Sequence, residues 1–497
     1  MQFVLKKYNT MQKIFAVIIM LMSFSPLFAM NGTDVQHGNS AEPTAIEEKN
    51  EKPKEVKKQE WKNHFQFYGF IRNYFAYDSR KSKIGNADFF YFMPLDHDYN
   101  DLGEDLNQVS SFRFMALTSR VGVNITGLRV GKTDFGAKVE ADFAAGLSGV
   151  SGTAQLRLRQ AYATVGWSDL PLSAKDKASV TLKIGQAWHP IAADLPQVFS
   201  LESGVPFGPF SRTPQVTMDA NLGNHWTLTA SALWQMQYTS AGLIENYDKA
   251  SHILTYSTVR SANYIKKSCT PETYFGLTYK TGGFLLKAGV DVLSIKPRSY
   301  GYVQNSESGS IDINGVQHTK VKVSDRITTA SPMLYLQYKK DLFTLKAKTV
   351  FGSAGEHINL SSGYVVTDRH EAEGEDGHWD YAPLHTSSSW MSLAYGKKYM
   401  GVLFVGYMKN LGLSHAMDHK ADANDIIFTT SGFANINQMY RINPEFLMTF
   451  GKFQVGVEWH FTAAQYGNKD YNKRALPTVD LHWVYNNRVQ GIVKFNF

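Results

Sequence analysis

Two arginines in one short segment have the residue type and spacing of an anion-binding site. Arg157 and Arg159 are separated by one residue, so both side chains lie on the same face if the segment is a β-strand. Lys138 and Lys183 occupy the same phase of the segments before and after it. Guanidinium groups in this arrangement suit carboxylates and phosphates. The alternative is that acidic residues of the same wall pair with the arginines; we favour anion binding.

The sequence gives little support for catalysis. His189, beside Trp188 and near Asp194, has no nucleophile at a recognisable spacing, and no phosphate-binding loop, nucleophile elbow or His-Glu-x-x-His motif occurs. Residues 370–378 mix histidines and acids that suit calcium or zinc, but a solvated acidic loop tip is the favoured interpretation. The single cysteine, Cys269, excludes a disulfide scaffold and a cysteine-based metal cluster. We therefore expect no enzyme, no cofactor and no metal.

The elements that must position these residues are β-strands. Apolar residues alternate with polar or charged ones in segments of about ten residues, the period of a strand with one apolar and one polar face. Sixteen such segments are predicted, with eighteen as the alternative. They span residues 63–77, 110–127, 132–146, 153–168, 178–189, 213–222, 224–238, 271–281, 283–295, 328–340, 342–352, 386–397, 399–410, 433–450, 452–466 and 476–497.

The connections favour a transmembrane antiparallel β-barrel over a soluble sandwich. Short turns, as at 281–283 and 451–452, alternate with long connections near 239–271, 296–327, 353–385 and 411–432. Outer-membrane barrels have short periplasmic turns and long external loops. Charged residues also recur in the middle of strands, where a wet lumen tolerates them and a soluble core does not. With sixteen strands, side chains cannot fill the interior, so an aqueous channel is expected.

The two ends of the chain fit export to an outer membrane. Residues 1–29 combine lysines with an apolar run and predict a signal peptide. Residues 30–62 are rich in Glu and Lys and predict a polar periplasmic spacer, so that 63–497 forms the barrel. The last strand ends on Phe497, which resembles the assembly signal of Gram-negative barrels. It is predicted as one long strand. A phase change near 116–119 indicates either a β-bulge or a misplaced strand boundary.

The polar phase of the strands carries more basic than acidic residues. Thirteen basic residues face the predicted lumen: Arg72, Arg113, Arg120, Lys138, Arg157, Arg159, Lys183, Lys287, Lys346, Lys348, Arg441, Arg488 and Lys494. Eight acidic residues share that phase: Glu140, Asp142, Asp219, Glu272, Asp291, Glu445, Glu458 and Asp480. The first eleven of the basic residues are the candidates for anion selection.

The connection after the fifth strand, residues 190–214, is called here the proline-rich segment. Five prolines stiffen its backbone. Exposed phenylalanines on a surface loop would form an apolar patch, so we expect the segment to fold inward and constrict the pore, with its acids facing Arg157 and Arg159. The alternative is an ordinary surface loop. The constriction residues are Asp194, Phe199, Glu202, Phe207, Phe210 and Arg212.

Three motifs resemble one family. Residues 156–162 (Leu-Arg-Leu-Arg-Gln-Ala-Tyr), 184–188 (Ile-Gly-Gln-Ala-Trp) and 208–215 (Gly-Pro-Phe-Ser-Arg-Thr-Pro-Gln) resemble the DcaP-like trimeric outer-membrane porins of Gram-negative bacteria, in a Bacteroidetes-type form. The resemblance implies a sixteen-stranded homotrimer that takes up small organic anions such as dicarboxylates or short peptides. The chain departs from the family pattern in its large loops at 239–271 and 353–385 and in a spacer without clear heptads.

These observations predict a porin in the outer membrane of a Gram-negative bacterium that lets small hydrophilic solutes, preferentially organic anions, diffuse passively. The alternative is a surface receptor or adhesin that uses the long external loops. The expected partners are outer-membrane lipid and lipopolysaccharide, the barrel-assembly machinery through Phe497, small anionic solutes and two further copies of the chain. The formal net charge of +7 is too small over this length to indicate nucleic-acid binding.

Overall fold

Sixteen antiparallel strands close into a barrel in the computed structural model of the chain. The structure describes residues 64–84, 91–144, 147–148, 153–173, 176–199, 204–414, 427–428 and 433–497. The predicted signal peptide and spacer lie outside the described residues. The barrel strands are β1 (Phe65–Asp78), β2 (Ser111–Met115 and Arg120–Val130), β3 (Thr133–Asp142), β4 (Arg157–Pro171), β5 (Lys177–Trp188), β6 (Arg212–Leu222), β7 (Trp226–Leu233), β8 (Glu272–Thr281), β9 (Phe284–Ile295), β10 (Ile327–Lys340), β11 (Phe343–Ser353), β12 (Trp379–Gly396), β13 (Tyr399–Leu413), β14 (Ile436–Phe450), β15 (Phe453–Asp470) and β16 (Leu476–Asn496).

The first and last strands complete the ring. β1 pairs with β16 from Phe70↔Asn496 to Asp78↔Arg488, and its other edge pairs with β2. The backbone N–H of Phe497 donates to the carbonyl of Gly69 at 3.1 Å. Each remaining strand pairs with its neighbours in chain order, so the sheet has no free edge. The prediction of sixteen strands, rather than eighteen, is confirmed.

β2 contains the predicted irregularity. Its two halves pair with the same strand, and the registers Tyr74↔Met115 and Phe70↔Arg120 show one more residue on β2 than on β1 between these points. One extra residue on one strand is a β-bulge. The bulge reverses the side-chain phase and explains why Arg113 and Arg120, an odd and an even position, belong to the same inner face.

The two faces of the barrel differ sharply in polarity. Phe112 and Phe114 on the outer face are each 67% exposed, and outward apolar residues continue around the wall to β16. On the inner face, Arg441, Glu458 and Arg488 are fully buried. A continuous apolar outer surface of this extent is matched by lipid rather than by water. The wall therefore has an apolar outer face and a polar inner face.

Short turns lie at one end of the barrel and long loops at the other. In the two-residue turns, Gly282 and Gly451 adopt φ of 52° and 58°, which side chains disfavour. The long loops carry structure of their own: the hairpin Ala241–Asp248 with Ile253–Arg260, the helix Asn263–Ser268, the sheet Tyr300–Gln304, Ile311–Ile313 and Val316–Lys322, and the strand Gly363–Arg369. Among the described residues, no helix is long and apolar enough to cross a membrane.

The last strand is a single one, as predicted. β16 has 21 residues and pairs with β15 from Phe453↔Phe495 to Asp470↔Leu476. Its pairing with β1 ends at Asp78↔Arg488. The part of β16 before Arg488 therefore extends beyond β1 toward the loop end.

Candidate functional site

Arg157 and Arg159 are paired with carboxylates. Arg157 donates through Nε and Nη2 to Asp142 on β3, at 2.9 and 2.7 Å. Arg159 donates to Glu140 at 2.8 Å and to Asp142 at 2.9 Å. The geometry is that of the alternative interpretation, in which acids of the same wall satisfy the arginines. These two residues contribute little unbalanced charge.

Three other cations surround one aromatic ring on the inner wall. Arg72, Arg120 and Lys494 lie 5.2, 5.0 and 4.4 Å from the centre of the Phe70 ring. Arg72 donates to the hydroxyl of Thr118, a neutral group. Arg120 is 3.6 Å from a carboxylate oxygen, and Lys494 forms no ion pair with any carboxylate of the described chain. We call Arg72, Arg120 and Lys494 the cation cluster.

The wall around the cation cluster carries an excess of positive charge. Apart from the exposed pair of Arg129 and Asp134, the inward residues of β1–β4 and of the part of β16 that pairs with β1 include eight basic residues and three acidic ones, which leaves five positive charges in excess. The basic residues are Arg72, Arg113, Arg120, Lys138, Arg157, Arg159, Arg488 and Lys494, and the acids are Asp78, Glu140 and Asp142. Asp78 is itself shared, because it lies 2.6 Å from Arg488 and 3.4 Å from Arg113. This wall is called the basic sector below.

Two more predicted lumen lysines lie at the edge of the basic sector. Lys138 Nζ is 3.9 Å from Glu140 and 5.2 Å from the centre of the Tyr68 ring. Lys183 Nζ is 5.6 Å from the centre of the Tyr162 ring. Both side chains are only partly buried, so they add to the positive potential of the wall without being fully neutralised.

On the opposite side, predicted lumen lysines hold the proline-rich segment. Lys348 donates to the carbonyl of Ile191 at 2.8 Å, and Lys346 donates to that of Leu195 at 3.2 Å. Lys287 on β9 pairs with Asp194 at 2.7 Å. The expectation that Asp194 faces Arg157 and Arg159 is therefore wrong, because the carboxylate is bound by the nearer lysine. Glu202 lies outside the described residues.

Further hydrogen bonds tie the same segment to β12 and β14. Its backbone N–H groups at Gln197 and Phe199 donate to Ser392 and Glu445, at 3.0 and 3.3 Å. Arg441 donates to the carbonyl of Val205 at 3.2 Å. All these wall residues are on the inner face of their strands, so the segment lies against the inner wall from β9 to β14.

Aromatic packing accompanies these hydrogen bonds. Phe207 is fully buried, with its ring centre 6.3 Å from that of Phe404 on β13. A Cβ built on Gly406 would lie 2.4 Å from the Phe207 ring, so the residue next to the ring has no space for a side chain. Gly208 similarly lies under Trp390, with 2.5 Å between a built Cβ and the indole nitrogen. Close approach at two glycines fixes the position of the segment on the wall.

The end of the segment is held by a stack of aromatic and guanidinium groups. Phe210 meets Trp188 edge to face at 4.9 Å between ring centres. The buried Arg212 places its guanidinium 4.8 Å from the centre of the Trp188 ring. The described constriction residues thus anchor the segment rather than point freely into the lumen.

A buried cluster of two histidines and two carboxylates was not anticipated. His189, Glu272, Asp291 and His357 are each at most 2% exposed. His189 Nε2 lies 2.5 Å from Glu272, and His357 Nε2 lies 3.1 Å from the same oxygen. Burial lowers the pKa of His357, but the carboxylates of Glu272 and Asp291 outweigh it and raise the pKa to about 10. We call these four residues the histidine–carboxylate cluster.

Sequence spacing could not reveal this cluster. His189 and Glu272 are 83 residues apart, and His357 lies in the short 3₁₀ helix Gly355–Ile358 of the loop after β11. Glu272 and Asp291 were recognised only as lumen-phase acids. The one available signal was that both acids are inward on neighbouring strands; no local motif points to the histidines.

The histidines near the acidic loop tip form a separate, exposed group. His370 and His378 stack with 3.9 Å between ring centres. His370 Nε2 lies 3.2 Å from Asp380, and His378 Nδ1 lies 2.5 Å from Asp376. The side chains of this group are between one quarter and three quarters exposed, as expected for a solvated loop tip.

Comparison with known proteins agrees with the fold. The family model described as DcaP outer membrane protein matches residues 33–175. The structure of the outer membrane channel DcaP of Acinetobacter baumannii is 17% identical and covers 87% of this chain and 97% of its own, with a TM-score of 0.55. OmpT of Vibrio cholerae and OmpF of Salmonella typhi, the latter in complex with daunomycin, are each 11% identical over the same shares, with TM-scores of 0.45 and 0.43.

No curated protein sequence matches the chain. The Bacteroidetes-type source stays a prediction. The family match covers the first four barrel strands, including the arginine motif of β4, and the structural match covers the whole barrel. Taken with the closed sixteen-stranded sheet and its apolar outer face, these matches show that the chain is a porin-like β-barrel of the Gram-negative outer membrane.

Proposed function

We propose that the barrel is a porin through which small hydrophilic solutes, preferentially organic anions such as dicarboxylates and short acidic peptides, diffuse passively. The observation that supports it best is the excess of five positive charges on the basic sector. Fixed cations raise the local concentration of anions in a water-filled channel whose protein walls have a low dielectric constant. On this proposal no bond is made or broken, and no cofactor takes part.

The proline-rich segment is proposed to constrict the pore. Its hydrogen bonds and ring contacts are with inward residues of β9, β11, β12, β13 and β14. Val205 and Phe210 of the segment also share an apolar cluster with Tyr74 on β1 and Ile492 on β16. A segment held in this way removes part of the cross-section of the channel. Solutes would then pass along the wall that carries the excess charge.

The assembly is proposed to be a homotrimer in contact with outer-membrane lipid and lipopolysaccharide. The resemblance at 156–162, 184–188 and 208–215 supports this, as does the apolar outer face. The C-terminal Phe497 is proposed to engage the barrel-assembly machinery before β16 closes on β1. Sedimentation of the detergent-solubilised protein measures the oligomeric state, and a monomer would contradict the trimer.

A receptor or adhesin remains the second candidate, because the interior is partly filled. The buried side chains of Phe207, Trp390, Phe404, Met408 and Tyr466 belong to one apolar cluster inside the barrel. A plugged barrel would use its structured loops instead of a pore. Swelling of liposomes in small sugars discriminates the two: swelling supports the porin, and its absence with correctly folded protein supports the receptor.

Anion preference is tested by single-channel recording in a planar bilayer under a KCl gradient. The proposal expects a reversal potential on the anion-selective side. A cation-selective channel would contradict it. Replacing Arg157 and Arg159 together by alanine should also move the reversal potential toward cations, because Asp142 then loses its ion pairs and Glu140 keeps only its longer contacts to Arg120 and Lys138. An unchanged potential would remove these residues from the selective wall.

A further inference from the structure

Four side chains of the histidine–carboxylate cluster converge at one point inside the barrel. His189 directly follows β5, Glu272 begins β8, Asp291 lies on β9, and His357 belongs to the loop after β11. Glu272 and Asp291 are diagonal neighbours, because Tyr274 is the residue opposite Asp291. Both histidines present Nε2 to the same carboxylate oxygen. We propose that this cluster binds one divalent transition-metal ion of the Zn²⁺ class.

The spacing of the ligand atoms is close to that of a tetrahedral site. His189 Nε2 is 2.5 Å from Glu272 Oε1 and 3.6 Å from Asp291 Oδ1. His357 Nε2 is 3.1 Å from Glu272 Oε1 and 3.3 Å from Asp291 Oδ2. Zinc with nitrogen and oxygen ligands at about 2.0–2.2 Å requires about 3.3–3.5 Å between neighbouring ligand atoms. Three of the four distances lie near that range, and the short contact would lengthen around an ion.

The charge and burial of the cluster also favour a cation. Two carboxylates at 1% exposure need positive charge beside them, and among the described residues only the two histidines form ion pairs with them. Asp291 Oδ1 accepts no hydrogen bond from any described residue, so a buried anionic atom lacks a donor. A divalent ion would neutralise both carboxylates and coordinate that oxygen. Imidazole and carboxylate together are the ligand set that suits zinc and its neighbours rather than calcium or magnesium.

Ion binding would be coupled to the start of the proline-rich segment. The backbone N–H of Ile191 lies 3.2 Å from Nδ1 of His189, so that nitrogen is now an acceptor and Nε2 carries the proton. Metal at Nε2 displaces this proton, and the neutral ring must then carry its proton on Nδ1. The contact to Ile191 has to open. By coordinating all four residues, the ion would therefore hold His189 and the segment that follows it against β8, β9 and the loop of His357.

The experiment uses the full chain in detergent, with the surface histidines removed as a competing site. The background variant is His370→Ala with His378→Ala. It is stripped with a chelator and titrated with ZnCl₂ while bound zinc per chain is measured by elemental mass spectrometry. His357→Gln and Asp291→Asn are each introduced into this background variant, and their zinc affinities are compared with its own. Both substitutions leave the side-chain volume nearly unchanged. Heat-modifiable migration on gels shows that each variant has folded as a barrel.

The proposal expects one zinc per chain in the background variant and an unfolding temperature that rises with free zinc. Each cluster variant should bind zinc at least about tenfold more weakly, since even the loss of an outer-shell partner costs that much. Co²⁺ in place of zinc should give the intense visible absorption of four-coordinate cobalt. Absence of stoichiometric zinc from the folded background variant, or unchanged affinity in both cluster variants, would overturn the proposal. Conductance is recorded in a separate experiment, so that failure of the zinc proposal can be distinguished from failure of the porin proposal.

Discussion

The cation cluster offers the sharpest test of anion selection. Replacing Arg72 and Lys494 together by glutamine removes two positive charges and leaves no carboxylate of the described chain without an ion-pair partner. Both cations lie within 5.2 Å of the centre of one phenylalanine ring, so a passing anion interacts with both of them at once. We expect the channel to lose part of its anion preference while keeping its fold.

The size of the effect follows from Coulomb's law. An anion that passes about 7 Å from each charge, at an effective dielectric constant of about 80, gains about 0.6 kcal/mol per charge. The two charges together correspond to about a sevenfold change in anion concentration at low salt. With a Debye length of about 8 Å at physiological ionic strength, screening reduces the change to about two- to threefold. The loss should therefore shrink as salt is raised.

The assay is the reversal potential of single channels under a KCl gradient, at low and at physiological ionic strength. The matched control is Lys132→Gln with Lys280→Gln. It removes the same net charge at two exposed positions near the short turns, at the periplasmic end of the barrel. A shift of equal size in the control, or no shift in the variant at low salt, would refute the role assigned to the cation cluster.

Two further predictions concern stability and the proline-rich segment. Arg159→Ala removes the 2.8 Å pair with the buried Glu140 and should lower the free energy of unfolding by about 3–5 kcal/mol in urea titrations; a loss below about 1 kcal/mol contradicts the buried pairing. Gly406→Ala places a Cβ 2.4 Å from Phe207 and should displace the segment, which changes single-channel conductance. Gly401→Ala on the same strand has no atom within 4 Å of its Cβ and should conduct normally; equal conductance in both variants would argue against constriction.

The barrel itself was predictable because its physical cause is local. In a wall between lipid and water, residue i faces one medium and residue i+1 the other, so polarity alternates along every strand. That alternation gave the strand number and the phase of nearly every inward residue. It also gave the bulge of β2, because an extra residue shifts the phase visibly within one segment. The long β16 followed from a phase kept unbroken across residues 479–497.

The partners of inward residues were not predictable, because they depend on distances across the lumen. Alternation placed Arg157 and Asp142 on the same face, but it could not show that the two side chains form a bidentate pair. It could not show that Lys287, rather than an arginine, binds Asp194. Register between neighbouring strands and the path of the proline-rich segment decide both pairings, and neither leaves a local pattern in the sequence.

The inner wall has two unlike halves, and their difference explains the distribution of basic residues. Lys287, Lys346, Lys348 and Arg441 donate to the proline-rich segment, so their charge serves to hold a backbone whose carbonyls would otherwise lack donors. The basic residues of β1–β4 and β16 instead contact carboxylates and aromatic rings of their own wall. The segment reaches this wall through apolar packing, because Val205 and Phe210 share a cluster with Tyr74 and Ile492. A count of thirteen basic residues therefore overstates what a passing anion would encounter. On the proposed function, the five charges in excess on the basic sector set the field that such an anion meets.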